Sequence, residues 1–297
     1  MTIGEALEWA RLELKRHDVS DLPSLDAQLL LEQVTGLHRS AILTHPERDL
    51  SGDETESLQA LVTRLLAGEP LPYVLGEWSF FGLSFLVTPQ VLIPRPETEM
   101  LVETAIDWLK ANPQVKCGAD IGTGSGCIAL SILSAFPDRD LYFSATDRSL
   151  PALRVARQNA QRLSLTGRVH CIQGNLSEPL QGPLSLVCAN LPYIPSQRCR
   201  ELDVAKNEPL LALDGGQDGF ELYRALFTDL QSKIAAGGLI LCEIEYSQRK
   251  IALETAQAFF PYAGITVRDD LSGMPRLLSI QLTRRTSSDA SNSRHNR

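Results

Sequence analysis

The chain has 297 residues, 43% hydrophobic and 22% charged, a composition typical of globular proteins and a length that suits one large domain beside a small one. Its 28 Lys and Arg against 36 Asp and Glu leave a formal net charge of −8, which argues against general nucleic-acid coating, since that binding needs a basic face to release counterions; a basic partner is easier to accommodate. No apolar run reaches the length of a membrane span and the start lacks the cationic and apolar regions of a signal peptide, so the cytoplasm, without membrane contact, is the expected compartment.

Residues 1–72 read as a small helical domain. Thr2 with Glu5, and Ser51 with Glu54, fit the capping box that satisfies orphan N–H groups at a helix start. Apolar residues follow each at helical spacing: Ile3, Leu7, Ala10 and Leu14, then Leu58, Leu61, Val62 and Leu65. Stretches 25–34 and 40–43 suggest two more short helices. Thirteen acidic against six basic side chains among residues 1–70 put nearly all the excess charge in this segment. A solvated helical face is the commoner meaning of such a run, and a docking lobe for a basic partner is the other.

Over 73–96 the pattern changes to aromatic and branched residues around Gly82, including Trp78, Phe80, Phe81, Phe85 and Val87, which reads as a β-hairpin linking two lobes. A helix is expected from near Glu97, and strands and helices then alternate to residue 283. The expected strands are 117–121, 141–146, 169–172, 184–189, 239–244, 265–267 and 277–282, with helices at 127–134, 150–163, 220–234 and 249–259 between them. This order implies right-handed βαβ units and an α/β doubly wound, mainly parallel sheet with helices on both faces. The Ser-, Arg- and Asn-rich stretch 284–297 is expected to be a disordered tail. The six cysteines, at 117, 127, 171, 188, 199 and 242, form no Cys-x-x-Cys pair and have no His at ligand spacing, so they read as reduced core thiols, with no metal site.

The strongest local signal is Asp120-Ile121-Gly122-Thr123-Gly124-Ser125-Gly126, where the first strand of the alternation ends and a helix opens. Glycines there let the backbone turn tightly and bring the free N–H groups of the helix start close to a ligand. A dinucleotide fingerprint would need glycine at 127, and that residue is Cys127. The spacing, with its preceding acid, resembles motif I of class I S-adenosylmethionine-dependent methyltransferases. Asp147 ends the next strand, where a carboxylate can accept both ribose hydroxyls of a nucleoside. A glycine-rich turn also occurs in doubly wound proteins that bind other nucleotides or none, and a nicotinamide enzyme stays open as the competing reading.

After strand 184–189 the chain reads Asn190-Leu191-Pro192-Tyr193, at the carboxyl end of a strand beside the crevice where doubly wound sheets bind ligands. Asn190 offers a side-chain carbonyl, and Pro192 drives Leu191 out of the α region and holds its backbone carbonyl extended. Two fixed acceptors can take both hydrogens of a substrate –NH2 group and aim its lone pair at a methyl donor. They favour the pyramidal, partly positive nitrogen of the transition state over the planar ground state, so no base is needed before transfer. Tyr193 would pack against the flat group, or else simply cap the core beside a turn.

These residues together resemble the HemK/PrmC protein-glutamine methyltransferases, which methylate the side-chain amide of Gln in the Gly-Gly-Gln motif of peptide-chain release factors. The resemblance runs from Gly68-Glu69-Pro70 to about Leu282. Its most specific pieces are Leu92 to Glu99, the loop from Asp120 to Gly126, Asn190 to Tyr193, Asn207-Glu208-Pro209 with Ala212 to Gly216, and Asp270 to Arg276. It implies a class I (Rossmann-like) methyltransferase domain, S-adenosyl-L-methionine as cofactor and release factors as protein substrate, with the helical lobe helping to hold the substrate and the chain acting as a monomer without direct nucleic-acid contact. Carried over by position, the cofactor residues are Asp120, Gly122, Thr123, Gly124, Ser125, Gly126, Asp147, Asn175 and Leu176 with Asn190, Leu176 lying against the adenine. Asn190, Leu191, Pro192 and Tyr193 are the catalytic set, and Arg95 and Glu208 join them in holding substrate.

Two positions depart from the family pattern. The usual string is Asn-Pro-Pro-Tyr, and Leu191 stands at the first proline, keeping the carbonyl but freeing the backbone and adding an N–H. Asn175 stands where an acid is common. Gly215-Gly216-Gln217 spells the substrate tripeptide, but a glycine-rich loop capped by Asp218 before a helix accounts for it. Adenine- and guanine-methylating enzymes of nucleic acids share an Asn-x-Pro-Tyr site, and the net charge and lack of a basic segment count against them. Enzymes that modify a ribosomal-protein Gln, and a cofactor-binding scaffold without turnover, complete the alternatives.

Overall fold

The helices of the first 75 residues start and stop where local chemistry says they should. In the computed structural model, which describes residues 1–202 and 204–284, the chain divides into two compact units, Met1–Trp78 and the remainder from Ser79. The first holds α1 (Ile3–Arg16), α2 (Pro23–Thr35), α3 (Arg39–Thr44), α4 (Gly52–Leu66) and α5 (Leu71–Leu75). Both expected capping boxes are present: Glu5 N donates to Thr2 Oγ1 at 3.2 Å while Thr2 N donates to Glu5 Oε2 at 2.8 Å, and Ser51 with Glu54 repeats the pattern. Ile3, Ala6, Ala10 and Leu14 of α1 bury against Leu30 and Leu31 of α2 and Leu58 and Val62 of α4. The helix α5 begins at a proline and ends at left-handed Gly76, and at five residues it is too short for a periodic signal.

The division between units falls within β1 (Glu77–Phe80), which pairs with β2 (Leu83–Leu86) as the expected hairpin. Beyond it come α6 (Glu99–Ala111), β3 (Cys117–Ile121), α7 (Cys127–Ser134), β4 (Tyr142–Asp147), α8 (Leu150–Arg162), β5 (Val169–Gln173) and β6 (Leu184–Ala189). The short helices α9 (Ser196–Cys199) and α10 (Val204–Asn207) follow, then α11 (Glu221–Leu230), β7 (Ile234–Glu243), α12 (Arg249–Phe259), β8 (Gly264–Asp269) and β9 (Pro275–Gln281). These form a seven-stranded sheet in the order β5-β4-β3-β6-β7-β9-β8, parallel except for β9, which runs antiparallel to both its neighbours.

Central strands are buried on both faces, as a covered parallel sheet requires. In β6, Leu186 and Cys188 join the core under α6 and α7, whereas Val187 and Ala189 join the core under α11 and α12. The expected helix to residue 234 stops sooner: Ile234 instead opens β7 opposite Leu184, and the register slips so that Leu186 faces Leu239, with Gly237 taking up the bulge at φ 75°. Four of the cysteines are buried thiols, Cys171 is partly buried, and Cys117, at the start of β3, is exposed rather than in the core. Thr283 and Arg284 close the fold, Arg284 Nη2 donating to Asn112 Oδ1 at 2.8 Å; the rest of the expected tail lies outside the described residues. Among the described residues no helix is long and apolar enough to cross a membrane.

Candidate active site

Since β3, β4 and β6 are parallel neighbours, their carboxyl ends meet at one edge of the sheet. The chain winds outward through β4 and β5, then returns to place β6 on the other side of β3, and this reversal opens the crevice where such sheets bind ligands. A cleft of about 1130 Å³, counting space open to solvent, lies there. Its wall includes Gly122, Thr123, Gly124 and Ser125 after β3, Asp147 after β4, Leu176, and Asn190, Leu191 and Pro192 after β6, with Arg95 and Thr98 on the facing segment. Of the residues expected at the site, Asp120, Gly126, Asn175, Tyr193 and Glu208 stand outside this lining.

The glycine loop depends on backbone conformations that side chains resist: Gly122, Gly124 and Gly126 have φ of 73°, 54° and 82°. A Cβ on Gly122 would stand 2.9 Å from Leu191 Cδ2, so this glycine lets the loops after β3 and β6 touch, whereas a Cβ on Gly124 would meet nothing within 4 Å. Asp147 ties the loop to β4. Its Oδ2 accepts from Gly124 N at 2.9 Å and its Oδ1 from Ser149 N at 2.8 Å; burial raises its pKa, and these N–H groups pull it back. Asp120 lies beneath, fully buried. Its Oδ2 accepts from Thr123 Oγ1 at 2.6 Å and Ala129 N at 3.3 Å, its Oδ1 has no partner among the described residues, and burial pushes its pKa up to about 6.

Asn190 donates from Nδ2 to Thr98 Oγ1 at 3.1 Å, which commits the amide nitrogen and makes Oδ1 the atom available to the cleft. Behind them lies Glu243, the last residue of β7, which is 3% exposed and whose pKa is pushed up to about 7 by burial, with the neighbouring Thr98 and Tyr193 hydroxyls opposing the rise. Tyr193 Oη donates to Glu243 Oε1 at 3.4 Å, and its backbone carbonyl accepts from Gln248 Nε2 at 2.9 Å, so this ring is steadied from behind. The Leu191 N–H donates to Tyr223 Oη at 3.2 Å, and Tyr223 Oη in turn donates to the Glu243 carbonyl.

Glu208 is spoken for within the chain: one carboxylate oxygen pairs with Arg95 Nη2 and the other accepts from Ile93 N at 3.1 Å, which fixes the segment bearing Arg95 at the cleft. Asn175 turns to Glu178, donating from Nδ2 to Oε1 at 2.7 Å, while its neighbour Leu176 reaches the lining. Gly215 packs on the Asn190–Tyr193 loop, where a Cβ would stand 2.6 Å from the Pro192 carbonyl oxygen, so the first glycine of the Gly-Gly-Gln string serves this close approach. The turn Asp270 to Arg276 is held by Asp270 Oδ1, which accepts from Ser272 N and Met274 N at 2.9 Å each, and it sets Arg276 4.0 Å from Glu97. Among the described residues no group of His, Cys, Asp or Glu could hold a metal ion.

Sequence reasoning gave no role to Thr98, Tyr223 or Glu243, although Thr98 falls within the Leu92 to Glu99 piece of the resemblance. Glu243 carried a signal, an acid closing the apolar run from Leu239 to Cys242, whereas Thr98 looks like an ordinary helix-start residue and Tyr223 like one more aromatic on the apolar face of α11.

Comparison with known proteins shows the family. Residues 5–76 match the PrmC N-terminal domain family and residues 97–207 the Methyltransferase small domain family. Proteins named Release factor glutamine methyltransferase are similar over nearly their whole length: the one from Moorella thermoacetica is 38% identical over 93% of this chain and 97% of its own, and that from Coxiella burnetii is 38% identical over 88% and 92%. Among solved structures, the hMettl16 catalytic domain, in complex with MAT2A 3'UTR hairpin 6, aligns with a TM-score of 0.54 at 17% identity over 70% of this chain and 78% of its own, a likeness of fold.

Proposed function

Because the chain belongs to the release factor glutamine methyltransferases, we propose that it transfers a methyl group from S-adenosyl-L-methionine to the side-chain amide nitrogen of the Gln in the Gly-Gly-Gln motif of peptide-chain release factors. One observation carries the chemistry: the amide of Asn190 gives its nitrogen to Thr98, which leaves a carbonyl oxygen for the cleft beside the Leu191 backbone. The cofactor fits this cleft on physical grounds. Left-handed glycines expose backbone at Gly122 and Gly124, the Asp147 carboxylate stands where ribose hydroxyls donate, and Leu176 supplies an apolar wall. When bound, S-adenosylmethionine supplies an electrophilic methyl on a sulfonium.

The protein's part is positioning. Asn190 Oδ1 and the Leu191 carbonyl accept the two amide hydrogens, and Pro192 holds that carbonyl extended. As the substrate nitrogen becomes tetrahedral and cationic, both acceptors bind it more strongly, and its surplus proton then leaves to water. Alignment of this kind is worth up to roughly 7–11 kcal/mol in well-ordered sites. Tyr193 flanks the substrate amide, Arg95 at the cleft helps hold the substrate, and Glu208 acts through Arg95. The helical unit, which carries the excess of acid, docks the basic part of the substrate, and the enzyme works as a monomer in the cytoplasm on protein rather than on nucleic acid or membrane.

Incubation with labelled S-adenosylmethionine and purified release factors, followed by mass spectrometry of the Gly-Gly-Gln peptide, tests this reading. A single methyl on that Gln, lost with Asn190→Ala, is the expected result. Cofactor binding without any methyl, on a release factor that another enzyme of the family modifies, would overturn it.

A further inference from the structure

We propose that Tyr223 is a positioning residue for methyl transfer, its buried hydroxyl holding the Leu191 N–H and with it the Asn190–Leu191 peptide plane, so that φ of Leu191 is fixed while Pro192 restricts its ψ and the Leu191 carbonyl stays aimed at the substrate amide. Leu191 has a backbone N–H at a turn beside the cleft, and a buried N–H without an acceptor is costly. Tyr223 Oη accepts it at 3.2 Å and passes its own proton to the Glu243 carbonyl at the end of β7. A hydroxyl has one donor, and with that donor committed to Glu243 only its lone pairs face Leu191, so the bond has a single possible direction.

Support for the hydroxyl is rigid. Tyr223 is fully buried, its ring packed against Phe220 at 5.0 Å and Phe227 at 6.2 Å between centroids. Burial also drives its phenol well above the usual range, so it stays protonated and keeps its donor. The relay crosses from α11 to the β6 and β7 ends, tying the reacting loop to the sheet at two strands. A proline at 191 would fix the backbone without any such bond, since it has no N–H to satisfy. The chain therefore obtains from a tertiary hydrogen bond the rigidity that a ring would supply locally.

The inference rests on the proposed reaction, and its test separates the two. Rates of methyl transfer are measured for Tyr223→Phe in the natural chain and in a Leu191→Pro background. Tyr223→Phe keeps the ring packing and removes the hydroxyl, and its kcat is expected to fall roughly tenfold or more with the KM for cofactor nearly unchanged. In the Leu191→Pro background the same substitution is expected to change kcat by less than about threefold, because no N–H is left to lose its acceptor. An equal loss in both backgrounds would overturn the proposal. Amide hydrogen exchange read by NMR gives a second answer without substrate: the Leu191 amide should exchange at least roughly tenfold faster in Tyr223→Phe, with the Val187 and Ala189 amides unchanged. Unaltered Leu191 exchange would overturn it as well, even if the natural chain transferred no methyl.

Discussion

Replacing Thr98 by valine removes one oxygen and nothing else of consequence, because valine has the same branched shape. Thr98 is 2% exposed, and its oxygen is what Asn190 Nδ2 bonds at 3.1 Å. Without it the amide keeps a shielded N–H pair facing methyl groups, at about 1–3 kcal/mol, or turns over and presents –NH2 to the cleft, where the substrate also presents –NH2. Either outcome weakens the acceptor that should strengthen in the transition state, and at 1.36 kcal/mol per factor of ten the expected fall in kcat is roughly tenfold to a hundredfold. Cofactor affinity, measured by calorimetry, should change by less than about threefold, since the glycine loop and Asp147 are untouched. Thr98→Ser keeps the oxygen and should stay within about threefold of the natural rate. A valine variant at full rate would show that the Thr98 oxygen does not orient the Asn190 amide. So would a serine variant as slow as the valine one, because the lost methyl packing rather than the hydroxyl would then be responsible.

Other consequences follow from the same geometry. Glu243 has a folded pKa raised to about 7 from 4.5 by burial, so its favourable neutral form is fully present below pH 4.5 and is lost as pH rises through about 7. Glu243→Gln removes that titration, and relative to the natural chain it should gain stability on the order of 2–3 kcal/mol between pH 5 and pH 8 in urea unfolding; a gap that stays constant across that range would count against the carboxyl being held neutral. Asp147→Ala deletes the carboxylate that takes the Gly124 and Ser149 N–H groups, and should weaken S-adenosylmethionine binding by roughly a hundredfold or more in calorimetry, whereas a change under about threefold would remove Asp147 from the cofactor site. Gly122→Ala brings both left-handed strain, about 1–2 kcal/mol, and a contact at 2.9 Å with Leu191, while Gly124→Ala brings strain alone. Melting curves should therefore show Gly122→Ala as the less stable of the two, and the reverse order would contradict the packing described between the loops.

Much of this protein could be read from one dimension. The capping boxes at Thr2 and Ser51, the apolar strands from 117 to 189, the glycine loop and the Asn190–Tyr193 string are local features, in which hydrogen bonding, periodicity and backbone freedom act over a few residues. Placement of Asp147, Asn190 and the loop at one edge of the sheet also followed, because parallel strands joined by right-handed crossovers must bring their carboxyl ends together. The helix read through residue 234 ended early because pairing with Leu184 outweighed the local preference, and no window of sequence contains both partners.

The polar layer behind the site belongs wholly to the tertiary structure. Thr98, Asn190, Tyr223 and Glu243 are scattered over nearly 150 positions, and their bonds exist only after α6, α11, β6 and β7 have packed. Asn175 and Glu208 make the same point from the other side: sequence position put them at the site, and the folded chain supplies them with Glu178 and Arg95 as partners. Which acceptor faces the cleft is fixed by what the other end of each amide and hydroxyl has already bonded, and that assignment requires neighbours in space. Sequence alone determined the kinds of acceptor present and the edge of the sheet where they gather, because those depend on residue type and strand direction. The fold decided their orientation, because a hydrogen bond is set by distances between residues that the chain order does not contain.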